Sequence, residues 1–139
     1  MLYEERARGI VAQNGQDVII DEHGVKWLVK QRDPVKVNVE DWNEYTVIAQ
    51  GNKLTHKING QVTCEIIDHQ AGARSLEGIL AFQVHRGPGM KVQIKDVMLK
   101  VLPDGGVLSP ADAPVPADAK KIEAARPAAK KAAEKKKKE

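Results

Sequence analysis

An all-β fold is the class this sequence predicts, and three observations carry the prediction. Val and Ile are plentiful while Phe, Trp and Tyr together supply only 4% of the 139 residues. Short runs alternate apolar and polar residues, and turn-forming residues interrupt them every ten or so positions. Asn59-Gly60 lies between two such runs, and this pair is the strongest short-range hairpin signal, because both residues tolerate the positive φ of a type I′ turn. The length suits one domain.

Residues 1 to 10, MLYEERARGI, set four charges among apolar neighbours and by themselves read as a solvated charge run. Asn14-Gly15 is a polar turn, a short strand is predicted around Val18 to Ile20, Asp21 to Gly24 turns again, and Val25 to Val29 returns to make a hairpin. His23 falls in that turn, where solvation explains it. Residues 30 to 41 are charged, contain Pro34 and read as a connecting loop. Trp42-Asn43 then opens the strongest β region. Tyr45, Val47 and Ala49 alternate with Thr46, Ile48 and Gln50, Gly51-Asn52 turns the chain, Lys53 to Ile58 comes back, and Gln61 to Ile67 follows the Asn-Gly pair. His56 shares a face with Leu54 and Ile58, where a half-buried, satisfied histidine and a ligand-binding one both fit. Asp68-His69-Gln70 begins a polar loop running to Glu77, whose composition needs no functional reason.

From Gly78 to Pro103 the pattern predicts two strands and a turn around which the rest of the chain is organised. Ile79, Ala81, Gln83 and His85 alternate with Leu80, Phe82 and Val84, and Arg86-Gly87-Pro88-Gly89 forces the turn. On the return, Val92 and Ile94 have one parity and Val97, Leu99 and Val101 the other, so the alternation slips at Lys95-Asp96, where a β-bulge is the simplest repair. Gln83 and His85 either line a cleft or simply leave the core at the end of a strand.

Charge excludes some functions. The formal net charge is +3, yet residues 1 to 109 carry 13 Lys and Arg against 14 Asp and Glu, so the basic excess belongs to the C-terminal part and the folded part offers no basic patch for specific nucleic-acid binding. Residues 104 to 139 are rich in Ala, Pro and Lys and are predicted to be a disordered tail, free to stick to anionic surfaces in a salt-sensitive way. The single cysteine, Cys64, excludes an internal disulfide and reads as a buried, inert thiol. No stretch approaches a transmembrane span, and LYEERARG after Met1 is not a signal peptide, which taken literally places the chain in the cytoplasm. Phosphate loops, nucleophile elbows, His-Glu-x-x-His and cysteine pairs are absent from the sequence.

The run FQVHRGPGMKVQIKDVMLKVLP resembles the C-terminal signature of the 3-keto-disaccharide hydrolase domain family, in which a Leu-Gln-Leu-His-x-Gly-Pro-Pro-Met-x-Val run precedes an Asn-Ile or Asp-Ile strand. Gln83, His85, Gly87, Pro88, Met90, Val92 and Asp96 sit where that pattern puts them, and Gly89 replaces the second proline. WNEYTVIAQGNKLTHKINGQVTCEIID is similar to the same family. At the start of the chain Tyr3, Glu5, Arg8 and Gly9 match a Leu-Tyr-Asp-Glu-x-x-Arg-Gly run that lines the cleft in one branch, with Glu4 in place of Asp and Arg6 in place of a small residue. The resemblance covers roughly residues 2 to 102. It implies a bacterial concanavalin A-like jelly-roll β-sandwich, represented by its later part and so N-terminally incomplete, spanning residues 1 to 103; if further sequence precedes Met1, it implies a periplasmic or secreted protein.

The resemblance also implies a chemistry, the cleavage of 3-keto-glycosides. A ketone at C3 acidifies the C2 proton, so a base can remove it and the C1 substituent can leave, with water adding later. That route needs a base of near-neutral pKa, for which His85 is suited, and positive charge at the developing enolate oxygen, for which Arg8, or a divalent metal ion held partly by Glu5, is suited. Tyr3, Gln83, His56 and His69 are the expected substrate-binding residues. The competing reading is a non-catalytic carbohydrate-binding module with Trp42, Tyr45, Trp27 and Tyr3 as a stacking platform, although Trp42 is expected to fill the core. A third is an interaction domain tethered by the Lys-rich tail.

Overall fold

A computed structural model describes residues 1–5, 8–83, 87–89 and 91–123. Eight strands and no helix occur among the described residues: β1 (Leu2–Glu4), β2 (Gly9–Ala12), β3 (Gln16–Ile20), β4 (Lys26–Gln31), β5 (Tyr45–Gln50), β6 (Lys53–Ile58), β7 (Gln61–Asp68) and β8 (Lys120–Lys121). They form two sheets, a β1–β2 ribbon and a six-stranded sheet in the order β5-β6-β7-β3-β4-β8. The all-β expectation holds, and so do the β3–β4 hairpin and the β5–β6–β7 meander, whose residues have the predicted alternation and turns. Asn59 and Gly60 both have positive φ, 50° and 76°, as the hairpin signal requires.

The meander reaches the hairpin through a parallel ladder. β7 lies along β3 with Gln16 beside Cys64 and Ile20 beside Asp68, so the carboxyl ends of both strands finish at the same end of the sheet. Lys26, the first residue of β4, pairs with Ile20 and arrives there too. The period of two puts Val18, Ile20, Cys64 and Ile66 on one face, and the β1–β2 ribbon covers them with Val11 and Ala12; Leu2, Leu54 and Ile122 close the margins. Burying each of the larger aliphatic side chains stabilises the domain by about 1.5–3 kcal/mol. Cys64 is fully buried in this core, and burial pushes its thiol pKa up, which keeps it in the inert neutral form.

Two expectations are corrected. Between Asp68 and Lys120 no strand occurs among the described residues, so the predicted 78–103 hairpin is not part of either sheet. A strand exists only through its neighbour, and no ladder reaches this segment: Ile79 is 93% exposed, Met98 91% and Leu99 82%. The bend at Gly87-Pro88 is present, and Asp96 is left-handed with φ 52°, but with no ladder among the described residues there is no strand for the predicted bulge to interrupt. The second correction concerns Trp42, which is 47% exposed rather than in the core.

Residues 104–123, expected to belong to a loose tail, run as a strap across the end of the sheet where β3 and β7 finish. The buried Asn52 binds it edge to edge: Leu108 N–H donates to Asn52 Oδ1 at 2.8 Å, and Asn52 Nδ2 donates to Leu108 O at 3.0 Å. A glycine is required beside this clamp, because a Cβ on Gly51 would stand 1.7 Å from the Gly106 carbonyl oxygen. Further on, Ile122 N–H donates to Lys26 O at 2.8 Å, and Lys120 and Lys121 pair with β4.

Candidate functional site

The end of the sheet shared by β3, β7 and β4 gathers most of the polar chemistry. β1 and β2 are joined by a bend that carries Arg8 over this end, and Arg8 is fixed from several sides. Its Nε donates to Glu4 Oε2 at 3.1 Å, and its backbone N–H donates to the same oxygen at 3.0 Å. Nη1 donates to Asp68 Oδ2 at 2.6 Å and approaches Gln70 Oε1 at 3.5 Å. Lys26 completes the cradle from β4, its Nζ donating to the carbonyls of Arg8 at 2.5 Å and Ile10 at 2.6 Å. Nη2 of Arg8 has no hydrogen-bond partner among the described residues.

The electrostatics follow from this packing. The Arg8 and Asp68 side chains are 16% and 9% exposed. Burial pulls the Arg8 pKa down, but Asp68 and then Glu4 more than offset it, so the guanidinium is held charged. Lys26 has its pKa lowered, first by burial and then by the neighbouring Arg8. Asp68 is itself oriented by the turn after β7, its Oδ1 accepting the Gln70 N–H at 3.0 Å. A cavity of about 210 Å³ lined by Gly24, Val25, Lys26, Lys121 and Ile122 opens beside Lys26.

The expected site residues divide into two groups. Glu5 and Gln83 meet: Gln83 Nε2 donates to Glu5 Oε1 at 3.1 Å, which brings the 78–83 segment against the bend that holds Arg8. Tyr3 lies on β1 opposite Ile10, exposed, with its ring near Gly9, whose φ of 61° makes the bend possible. His85 lies outside the described residues. His56 and His69 are not joined to this group by any contact among the described residues. His56 pairs with Cys64, four residues before Asp68, about 13 Å along the strand, and its Nδ1 meets the Tyr45 hydroxyl at 2.8 Å. His69 is buried and its Nε2 hydrogen-bonds the Ala113 carbonyl at 2.9 Å, so it faces the strap.

Asp68, Gln70, Glu4 and Lys26 are the partners the sequence did not assign. The break from β alternation into Asp68-His69-Gln70 was a signal for the first two. Nothing in the pattern around Lys26 marked it. Among the described residues no group of three His, Cys, Asp or Glu side chains converges on one point.

A β-sheet domain that gathers a fixed guanidinium, carboxylates, an ammonium and side-chain amides at one sheet end is equipped to hold an oxygen-rich ligand on which negative charge develops. The chain belongs to the 3-keto-alpha-glucoside-1,2-lyase-like domain family, which matches residues 2–100. No curated protein and no solved structure matches the chain.

Proposed function

We propose that this domain acts on 3-keto-glycosides, removing the C2 proton and expelling the C1 substituent. The observation that carries the reading is Arg8: a charged, largely buried guanidinium held through Nε and Nη1, with no partner for Nη2 among the described residues, inside the region the family matches. Family membership supports the substrate class. Arg8 serves the enolate oxygen. When C2–H is broken the electron pair moves toward the C3 carbonyl, and a fixed cation there lowers the barrier without reorganising. The pair then forms C1=C2 as the C1–O bond breaks, the leaving alkoxide takes a proton, and water adds to C1 afterwards.

His85 is the proposed base, and its place in the chain, two residues after the Gln83 that touches Glu5, supports that assignment. Tyr3, Glu5 and Gln83 bind substrate around the same bend.

The test is to incubate the protein with a 3-keto-α-glucoside in D₂O and follow aglycone release together with deuterium at C2. Release with deuterium uptake is expected. His85→Ala should lower turnover about 10²–10⁴-fold at unchanged thermal stability. Equal activity in the variant removes His85 from the role, and absence of turnover in the parent chain removes the reading. A carbohydrate-binding module is the second reading, favoured by the exposed rings of Trp42 and Tyr45, and sugar binding without turnover would select it.

A further inference from the structure

The strap lies beyond residues 2–100, the region the family matches, yet three contacts of its backbone lead to the residues that hold Arg8. Leu108 is gripped through both its N–H and its carbonyl by the Asn52 side chain. The same side chain donates from Nδ2 to Asp68 O at 3.0 Å, and the Asn52 carbonyl accepts the Asp68 N–H at 2.9 Å. The Ala113 carbonyl meets His69, which stands between Asp68 and Gln70, the two side chains on Arg8 Nη1. Ile122 N–H donates to the carbonyl of Lys26, whose Nζ donates to the carbonyl of Arg8. We propose that Asn52 is a positioning residue for Arg8, and that the strap acts through Asn52 and Lys26 to hold the guanidinium where a ligand meets it.

The coupling follows from one planar amide serving two neighbours. Asp68 is the last residue of β7 and lies past the β6 ladder, which stops at Lys53 beside Ile67, so Asn52 completes its bonding on that side. Asn52 is 4% exposed. Undocking the strap would leave its Oδ1 and one Nδ2 hydrogen unpaired, and buried polar groups do not stay unpaired cheaply. Turning the amide toward water to satisfy them also takes the other Nδ2 hydrogen off Asp68 O, which frees the residue that binds Arg8. The strap is recognised by main-chain atoms, Leu108 N and O, Ala113 O and Ile122 N, which is how a sequence poor in large apolar residues docks at all. Coupling of this kind is reciprocal, so whatever holds Arg8 also holds the strap. Its catalytic consequence rests on the assignment of Arg8 to the enolate oxygen, where a displacement of about 1 Å costs on the order of 10²-fold in rate.

Amide hydrogen exchange of the full chain, followed by NMR, tests the coupling without any ligand. In Arg8→Met the Leu108 and Ile122 amides should exchange at least about fivefold faster, measured relative to the amides of the β5–β6 ladder. In Leu108→Pro, which removes the strap's donor to Asn52, the Arg8 amide should be released to a similar extent. Turnover of a 3-keto-α-glucoside is the second readout. Leu108→Pro should lower kcat about 10- to 100-fold with KM nearly unchanged, because Arg8 acts on charge that develops only after binding. Strap amides that are unchanged in folded Arg8→Met overturn the proposal, as does an acceleration that β5 and β6 share equally. So does a folded Leu108→Pro whose Arg8 amide exchanges as in the parent, or whose kcat equals that of an active parent. A parent chain without turnover removes the enolate assignment alone, and the exchange rates still decide the coupling.

Discussion

Replacing Arg8 by methionine would leave the Asp68 carboxylate, 9% exposed, without its cation, and would remove the side-chain donor to Glu4 Oε2 while the backbone N–H donor stays. Breaking one partner out of a buried pair costs more than the pair is worth in water. We expect Arg8→Met to lower unfolding free energy by up to about 3 kcal/mol, discounted because neither group is fully dry, and Asp68→Asn to restore part of that loss in the double variant. Urea denaturation of the two single variants and the double one measures the coupling. His56 supplies a pH signature. Burial first, then the charge of the amino terminus, lowers its pKa below the ordinary value, which the unfolded chain regains. The unfolded state therefore binds more protons in the window just below about 6.5, and stability should fall as pH drops through that window and be complete above it. In His56→Gln the slope of Tm against pH between 5 and 6.5 should flatten. At this scale the sequence singled out Arg8 and Glu4 within one short run, and the structure joins those two. It was silent on Lys26, whose role depends on β4 beginning beside a bend formed eighteen residues earlier.

At the scale of elements, local signals were read correctly when the element and its partner are adjacent in sequence. Asn59-Gly60 and the Gly51-Asn52 turn determine β5, β6 and β7 because each strand meets the next one within a few residues. The Gly78 to Pro103 strands have equally good alternation but no ladder, since a period of two describes a face and says nothing about what lies alongside. The strap escaped for the opposite reason. Its composition is poor in large apolar residues, and its attachment depends on point contacts: Asn52 on Leu108, His69 on Ala113, and Ile122 against the core. Asn52→Ala removes both bonds to Leu108 and a third to Asp68 O at 3.0 Å. Each net hydrogen bond is worth about 1 kcal/mol, so a loss of roughly 2–3 kcal/mol is expected. Gly51→Ala should release the strap by another route, through the clash with Gly106. In both variants limited proteolysis is expected to cut between residues 104 and 119 faster than in the parent chain; unchanged cutting would mean that the strap is held elsewhere.

Across the whole molecule, composition was enough to identify the all-β class, because period-two alternation and frequent turns survive any arrangement of the sheet. The parallel β3–β7 ladder and the covering β1–β2 ribbon were not legible, since both join segments more than forty residues apart or depend on which face is buried. Charge distribution was legible, because it needs no fold. Residues beyond 123 carry seven Lys and Arg against two Glu, whereas residues 1 to 123 carry 15 against 17. A polyanion should therefore recognise the chain through its last sixteen residues alone. We expect the full chain to bind heparin at low salt and to elute as salt rises, with log K falling steeply against log salt because counterions are released. A version ending at Glu123 should flow through at every salt concentration, since its net charge is slightly negative and Arg8, Arg32 and Lys53 are engaged in ion pairs with carboxylates. Retention of the shortened chain would place a basic surface on the domain itself. Salt-dependent loss of retention on shortening, with turnover of a 3-keto-α-glucoside unchanged, would separate the charged terminus from the chemistry proposed for Arg8.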